Sequence, residues 1–151
     1  MVGEDTKLYG DMMRSFASTF TRFLNKPYTD AGNGPDGFGC LNFVYEFLCA
    51  RGLGDKLTIE MDGLDLSNYM CFAKSANQEE IREKLVKAFE VNGKAVDRLR
   101  IGDIMVLKSE KGRYFPAIYV GGGNVASSFS NAGVQVNPMK HYELICARRV
   151  E

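Results

Sequence analysis

The hydrophobic period of this sequence changes once, near residue 99, and that change leaves few architectures open. Upstream the apolar residues recur at helical intervals. Leu8, Met12, Phe16, Phe20 and Phe23/Leu24 fall three to four apart, which predicts an amphipathic helix over residues 5 to 24 whose Phe and Met stripe is core. Asn25-Lys26-Pro27-Tyr28 ends it, because proline disfavours helix in the residue before it and donates no hydrogen bond. A second helix is expected from about Cys40 to Ala50, stopping before Gly52 and Gly54 as a C-terminal cap requires. Asp65 or Ser67 caps a short helix over Asn68 to Ala73. A third long helix starts at Ser75-Ala76-Asn77-Gln78, carries Glu79 and Glu80 in its first turn, where the helix dipole prefers them, and closes at Asn92-Gly93. Downstream the period is two. Strands are predicted at 104–107, 114–120, 125–129, 134–136 and 144–150, each gap holding turn residues. Helices followed by strands imply an α+β fold, with N-terminal helices packed on one side of an antiparallel sheet of five to six strands. No internal repeat or interdomain linker interrupts 1–151, so one domain is expected.

A chain of 151 residues can bury a substantial core, removing roughly 70% of its unfolded surface on folding, and needs no cofactor or staple to do so. Nineteen basic side chains balance nineteen acidic ones, which argues against nucleic acid or an anionic membrane as partner. No apolar run approaches the ~20 residues of a membrane span, and Met1-Val2-Gly3-Glu4-Asp5 lacks a signal-peptide layout, so a cytoplasmic location is favoured. Cys40, Cys49, Cys71 and Cys146 form no CxxC pair and, with His141, no zinc-ligand spacing; no metal site is expected. Cys49, Cys71 and Cys146 read as small buried hydrophobes.

Cys40 is different in context. A glycine-rich loop, Gly32-Asn33-Gly34-Pro35-Asp36-Gly37-Phe38-Gly39, runs directly into it and into the apolar helix that follows. A thiol at a helix N-terminus meets unpaired N–H donors and the positive end of the dipole, which lowers its pKa and supplies thiolate. The loop lacks the Lys-Ser/Thr of a phosphate cradle, and Gly121-Gly122-Gly123-Asn124 reads as a hairpin turn. Ser127, Ser128 and Ser130 have no histidine nearby to make any of them a nucleophile. His141 is the sole imidazole in the sequence.

Three ordered segments carry a family resemblance. They are Pro27-Tyr28 with Gly37-Phe38-Gly39-Cys40-Leu41-Asn42-Phe43-Val44, then Leu99-Arg100-Ile101-Gly102-Asp103-Ile104-Met105-Val106, then Phe115-Pro116-Ala117-Ile118-Tyr119-Val120-Gly121; Ala147-Arg148-Arg149-Val150 also has counterparts. Together they resemble the NlpC-type, papain-like cell-wall peptidases. The resemblance implies a papain-like fold in which a cysteine thiolate attacks an amide carbonyl, a histidine from the sheet relays the proton, and a third polar residue orients that histidine.

Carried over position by position, Cys40 takes the nucleophile position and Tyr28 that of a tyrosine near the thiol. The histidine position falls on Phe115 and the third polar position near Val125-Ala126, while Leu41-Asn42 stands where the family has Ser-Gly. The resemblance therefore implies a framework without its base. It points to a binding or structural module whose cleft, lined by Tyr28, Phe38, Cys40, Phe115 and Ser127, takes a peptide or acyl ligand. The alternative is an active cysteine hydrolase or acyltransferase working through Cys40 with an unconventional base, for which His141 and Asp36 are the candidates.

Overall fold

The computed structural model describes residues 14, 16–27, 40–58, 73, 76–129 and 132–151. The Phe stripe of the first helix, α1 (residues 16–21 as described), lies on the second, α2 (Cys40–Ala50). Phe47, fully buried, is the hub: its ring stands 5.2 Å from Phe16, 5.7 Å from Phe23 and 6.1 Å from Phe20, mostly edge to face, the arrangement aromatic quadrupoles favour. Helix α1 stops at residue 21, earlier than predicted, and turns through residues 22–25. Asn25 then takes a left-handed φ of 66°, a conformation its short polar side chain tolerates. Leu8, Met12 and most of the short helix expected over 68–73 lie outside the described residues.

Helix α2 ends as predicted. Gly52 adopts φ 80°, its N–H reaches the Cys49 carbonyl at 2.9 Å, and the Leu53 N–H reaches back to Leu48 at 2.9 Å, the paired bonds of a Schellman cap. Helix α3 (Gln78–Asn92) begins within the predicted stretch of residues 75 to 78, with Asn77 as its N-cap. The Asn77 side chain accepts from the Glu80 N–H at 2.9 Å, and its amide donates to the Glu80 carboxylate at 2.8 Å, a reciprocal cap. Replacing Asn77 with alanine is expected to cost about 1 kcal/mol in urea unfolding, with helix content falling no further than this end. Unchanged stability would show the cap to be redundant.

The strands are β1 (Lys94–Ala95), β2 (Ile104–Lys108), β3 (Tyr114–Gly121), β4 (Asn124–Phe129), β5 (Gly133–Pro138) and β6 (Glu143–Arg149). Five were predicted; β1 adds a sixth, too short for its pattern to register. All pairs are antiparallel, in the order β1-β6-β2-β3-β4-β5. Gly122 and Gly123, at φ 61° and 76°, close the β3–β4 hairpin as a two-residue turn with both central φ values positive. The fold class is α+β, with the helices on one face of the sheet.

Strand alternation sorts the core into two. Ile104, Val106, Ile118, Ala126 and Val134 point toward the helices and join the Phe cluster, Ile81, Leu85 and Phe89. Met105, Leu107, Ala117 and Val125 point the other way, into a smaller cluster with Leu99, Phe115, Tyr119, Met139 and Tyr142. Ile104 to Leu107 switch face at every residue, as a period of two demands.

Candidate functional site

Cys40 is the first residue of α2, half-buried against the helix-side core. Its pKa does not fall as the sequence predicts: burial pushes the thiol up from 9.0 to about 11, outweighing the backbone N–H groups of Leu41 and of Cys40 that favour the thiolate. The first turn of α2 contains no polar surface to compensate, since Leu41, Asn42, Phe43 and Val44 are all buried. Dipole and donors are present, and desolvation wins.

A raised thiol pKa fixes the sign of its pH dependence. Unfolded, Cys40 ionises near 9; folded, near 11, so it favours the folded state below pH 9 and that contribution is lost as pH climbs to about 11. Relative to Cys40→Ala, the native chain should lose stability across that window, and alkylation of the Cys40 peptide, followed by mass spectrometry, should keep accelerating beyond pH 9. A rate that levels off below pH 8.5 would contradict this.

Asn42 follows in the same turn. It is 2% exposed, and its Oδ1 has no hydrogen-bond partner among the described residues. In an otherwise apolar helix start, one amide was the legible anomaly, though sequence alone gave no sign that it would be buried.

The other site residues divide. Phe115 belongs to the outer cluster: its ring lies 5.1 Å from Tyr142 and 5.7 Å from Phe129, on the face of β3 opposite Ile118. Cys40 packs on the helix face. The expectation that Phe115 lines a cleft with Cys40 is therefore corrected: in a strand whose Ile118 faces the helices, a residue three positions earlier faces away. Ser127, expected to line the same cleft, is fully buried and its hydroxyl donates to the Pro116 carbonyl at 2.8 Å. Its one donor is used in holding β4 to β3.

His141 ends a 3-10 turn, Met139–His141, just before β6, and is exposed. Its ring neighbour is Tyr142, at 6.4 Å, which joins Phe115. Val125 and Ala126, near the third polar position, are fully buried on opposite faces. Tyr28, Phe38 and Asp36 lie outside the described residues.

Cys49 and Cys146 are half-buried rather than buried as predicted. Cys49 hydrogen-bonds the Tyr45 side chain one helical turn earlier, and Cys146 lies near the Arg148 guanidinium. Both sit where a polar neighbour, invisible in linear spacing, reaches the sulfur. Among the described residues, no group of three or more His, Cys, Asp or Glu side chains is placed to hold a metal ion, and no helix is long and apolar enough to cross a membrane.

No protein-family model and no curated protein matches the sequence. Solved structures do match the fold. The NlpC/p60 domain of the peptidoglycan hydrolase SagA superposes with a TM-score of 0.55 at 19% identity, covering 91% of this chain and 98% of that one. An NlpC/P60 family protein from Bacillus cereus gives 0.58 at 25% identity, over 91% of this chain and 39% of that one. NlpC2 from Trichomonas vaginalis gives 0.58 at 17% identity, over 91% and 46%. The chain has an NlpC/p60-type, papain-like α+β fold, as its motifs imply.

Proposed function

We propose that this domain uses an NlpC/p60 hydrolase framework as a binding or structural module rather than as a peptidase. The observation that carries the reading is the state of Cys40: a thiol desolvated on the helix-side core, with phenylalanine at the position where the resemblance calls for the histidine. A thiol of pKa about 11 is ionised only to about one part in ten thousand at pH 7. Amide cleavage needs a protonated leaving group as well, and the general acid–base term that would supply it is worth roughly 10²- to 10⁴-fold. Loss of both leaves a scaffold that can hold a ligand without turning it over.

The ligand class that fits is a peptide or an acyl chain. Phe115, half-buried beside Phe129 and Tyr142, offers apolar contact on the sheet face away from Cys40. The test is incubation of the full chain with a peptidoglycan stem peptide and with a small thioester, following products by mass spectrometry. No turnover, with saturable binding of the stem peptide that Phe115→Ala weakens, supports a module. Turnover abolished by Cys40→Ser overturns it.

A further inference from the structure

Arg51 directly follows the last residue of α2, just ahead of Gly52 in the cap. Its guanidinium is half-buried, stacked over the Phe16 ring at 5.2 Å, and burial lowers its pKa. It makes no ion pair or side-chain hydrogen bond among the described residues, unlike Arg148, which pairs with Glu90, and Arg149, which pairs with Asp103. The negative end of α2 and the face of Phe16 offset part of its lost hydration, yet none of its five N–H donors makes a hydrogen bond among the described residues.

Its position is fixed from the far side as well. A Cβ on Gly102 would stand 2.6 Å from Arg51 Nη1, so the guanidinium packs directly on that glycine. Gly102, at φ 96°, sits inside the Arg100–Asp103 turn, closed by the Asp103 N–H to the Arg100 carbonyl at 3.0 Å. Arg100 opens this turn, and Arg98 lies two residues ahead of it. Arg98 and Arg100 are exposed, and neither guanidinium has an ion pair or hydrogen bond among the described residues, whereas nearby Asp103 is already taken by Arg149. In a chain with no net charge, three guanidiniums without an ion pair or hydrogen bond among the described residues, one at a helix end and two at residues 98 and 100, are a local excess.

We propose that Arg51, held between Phe16 and Gly102, anchors an oxyanion-binding site completed by Arg100 of that turn and Arg98 just ahead of it. Phosphate and carboxylate both match a planar fork of donors, and a multivalent ligand would meet Arg51 first and Arg98 or Arg100 at its edge. The site lies at the C-terminal end of α2, the end away from Cys40, and does not depend on whether the thiol is active.

The test is a titration of the full chain with inorganic phosphate and, separately, with citrate, against sodium chloride of matched ionic strength, read by the Gly102 amide and the arginine Nε–H signals in heteronuclear NMR. Saturable shifts at these groups, weakened about tenfold by Arg51→Lys, which keeps the charge and loses the fork, are expected. Arg100→Gln, at an exposed site that leaves the fold untouched, should weaken binding about two- to fivefold. Tighter binding of phosphate assigns the site to phosphate-bearing polymers, and tighter binding of citrate to carboxylate-bearing ones; either supports it. Shifts that rise linearly and equally with chloride, or an affinity unmoved by both substitutions, would overturn it.

Discussion

Replacing Asp103 with alanine is expected to destabilise the fold by about 3 kcal/mol, one of the largest single-residue losses in the sheet. The carboxylate is 1% exposed and accepts three bonds: from Arg149 Nε at 2.8 Å, from Arg149 Nη2 at 3.0 Å and from the Arg100 N–H at 2.8 Å. Arg149 Nη2 also donates to the Arg98 carbonyl at 2.9 Å. One acid thereby ties the last residue of β6 to the turn that opens β2, and the turn is itself clamped to β3 through Gly102 N–H to Tyr119 O and Tyr119 N–H to Asp103 O, both 2.8 Å. Alanine leaves a guanidinium with its counter-charge gone and a backbone donor unmet. Because the Arg149 side chain is 24% exposed, water relieves part of that loss, which places the figure at the low end for a broken buried pair. Arg149→Met alone should cost at least as much, because it strands the buried Asp103 carboxylate without its counter-charge, and the double variant should recover part of either deficit. Additive losses in urea unfolding would show that the two do not act as a unit.

The Asp103 network marks a boundary in what linear sequence conveys. Gly102-Asp103 was visible only within the segment that resembles the family's strand entry, and the strand followed at Ile104 as the period required. Its partner was not, because Arg149 lies 46 residues on and nothing in spacing says that β6 sits between β1 and β2. Local signals did well where the physics is local: the Asn77 cap, the Gly52 cap and the glycine hairpin all depend on a few consecutive residues. Cys40 failed in an instructive way. The dipole and the N–H donors are local and were read correctly; desolvation depends on what packs against the helix start and is not. Phe115 is intermediate. The alternation that puts it opposite Ile118 was written in Tyr114 to Val120, but which of the two faces carried the helices required the register of β3 with its neighbours.

Gly133 shows the same limit and gives the second large effect. Its turn, Asn131-Ala132-Gly133, was read from sequence as punctuation before β5, yet the structure uses the missing side chain to admit another part of the chain. The Val134 N–H donates to the Lys26 carbonyl at 2.8 Å and the Asn25 N–H to the Val134 carbonyl at 3.0 Å, fastening the tail of α1 to the edge of the sheet. A Cβ on Gly133 would run into the Lys26 carbonyl oxygen, a backbone atom that cannot swing aside without breaking the first of those bonds. Gly133 also holds φ 76°, which costs an alanine about 1 to 2 kcal/mol by itself. Adding one or two strained hydrogen bonds at about 1 kcal/mol each puts Gly133→Ala near 3 kcal/mol. Gly52→Ala separates the two contributions, because Gly52 shares the positive φ, at 80°, and has open space around the added Cβ. It should lose only about 1 kcal/mol. If the two alanine variants unfold at the same urea concentration, the Lys26 contact contributes nothing. If Gly133→Ala is the weaker and the Val134 amide exchanges faster with solvent, α1 is held to the sheet through that glycine.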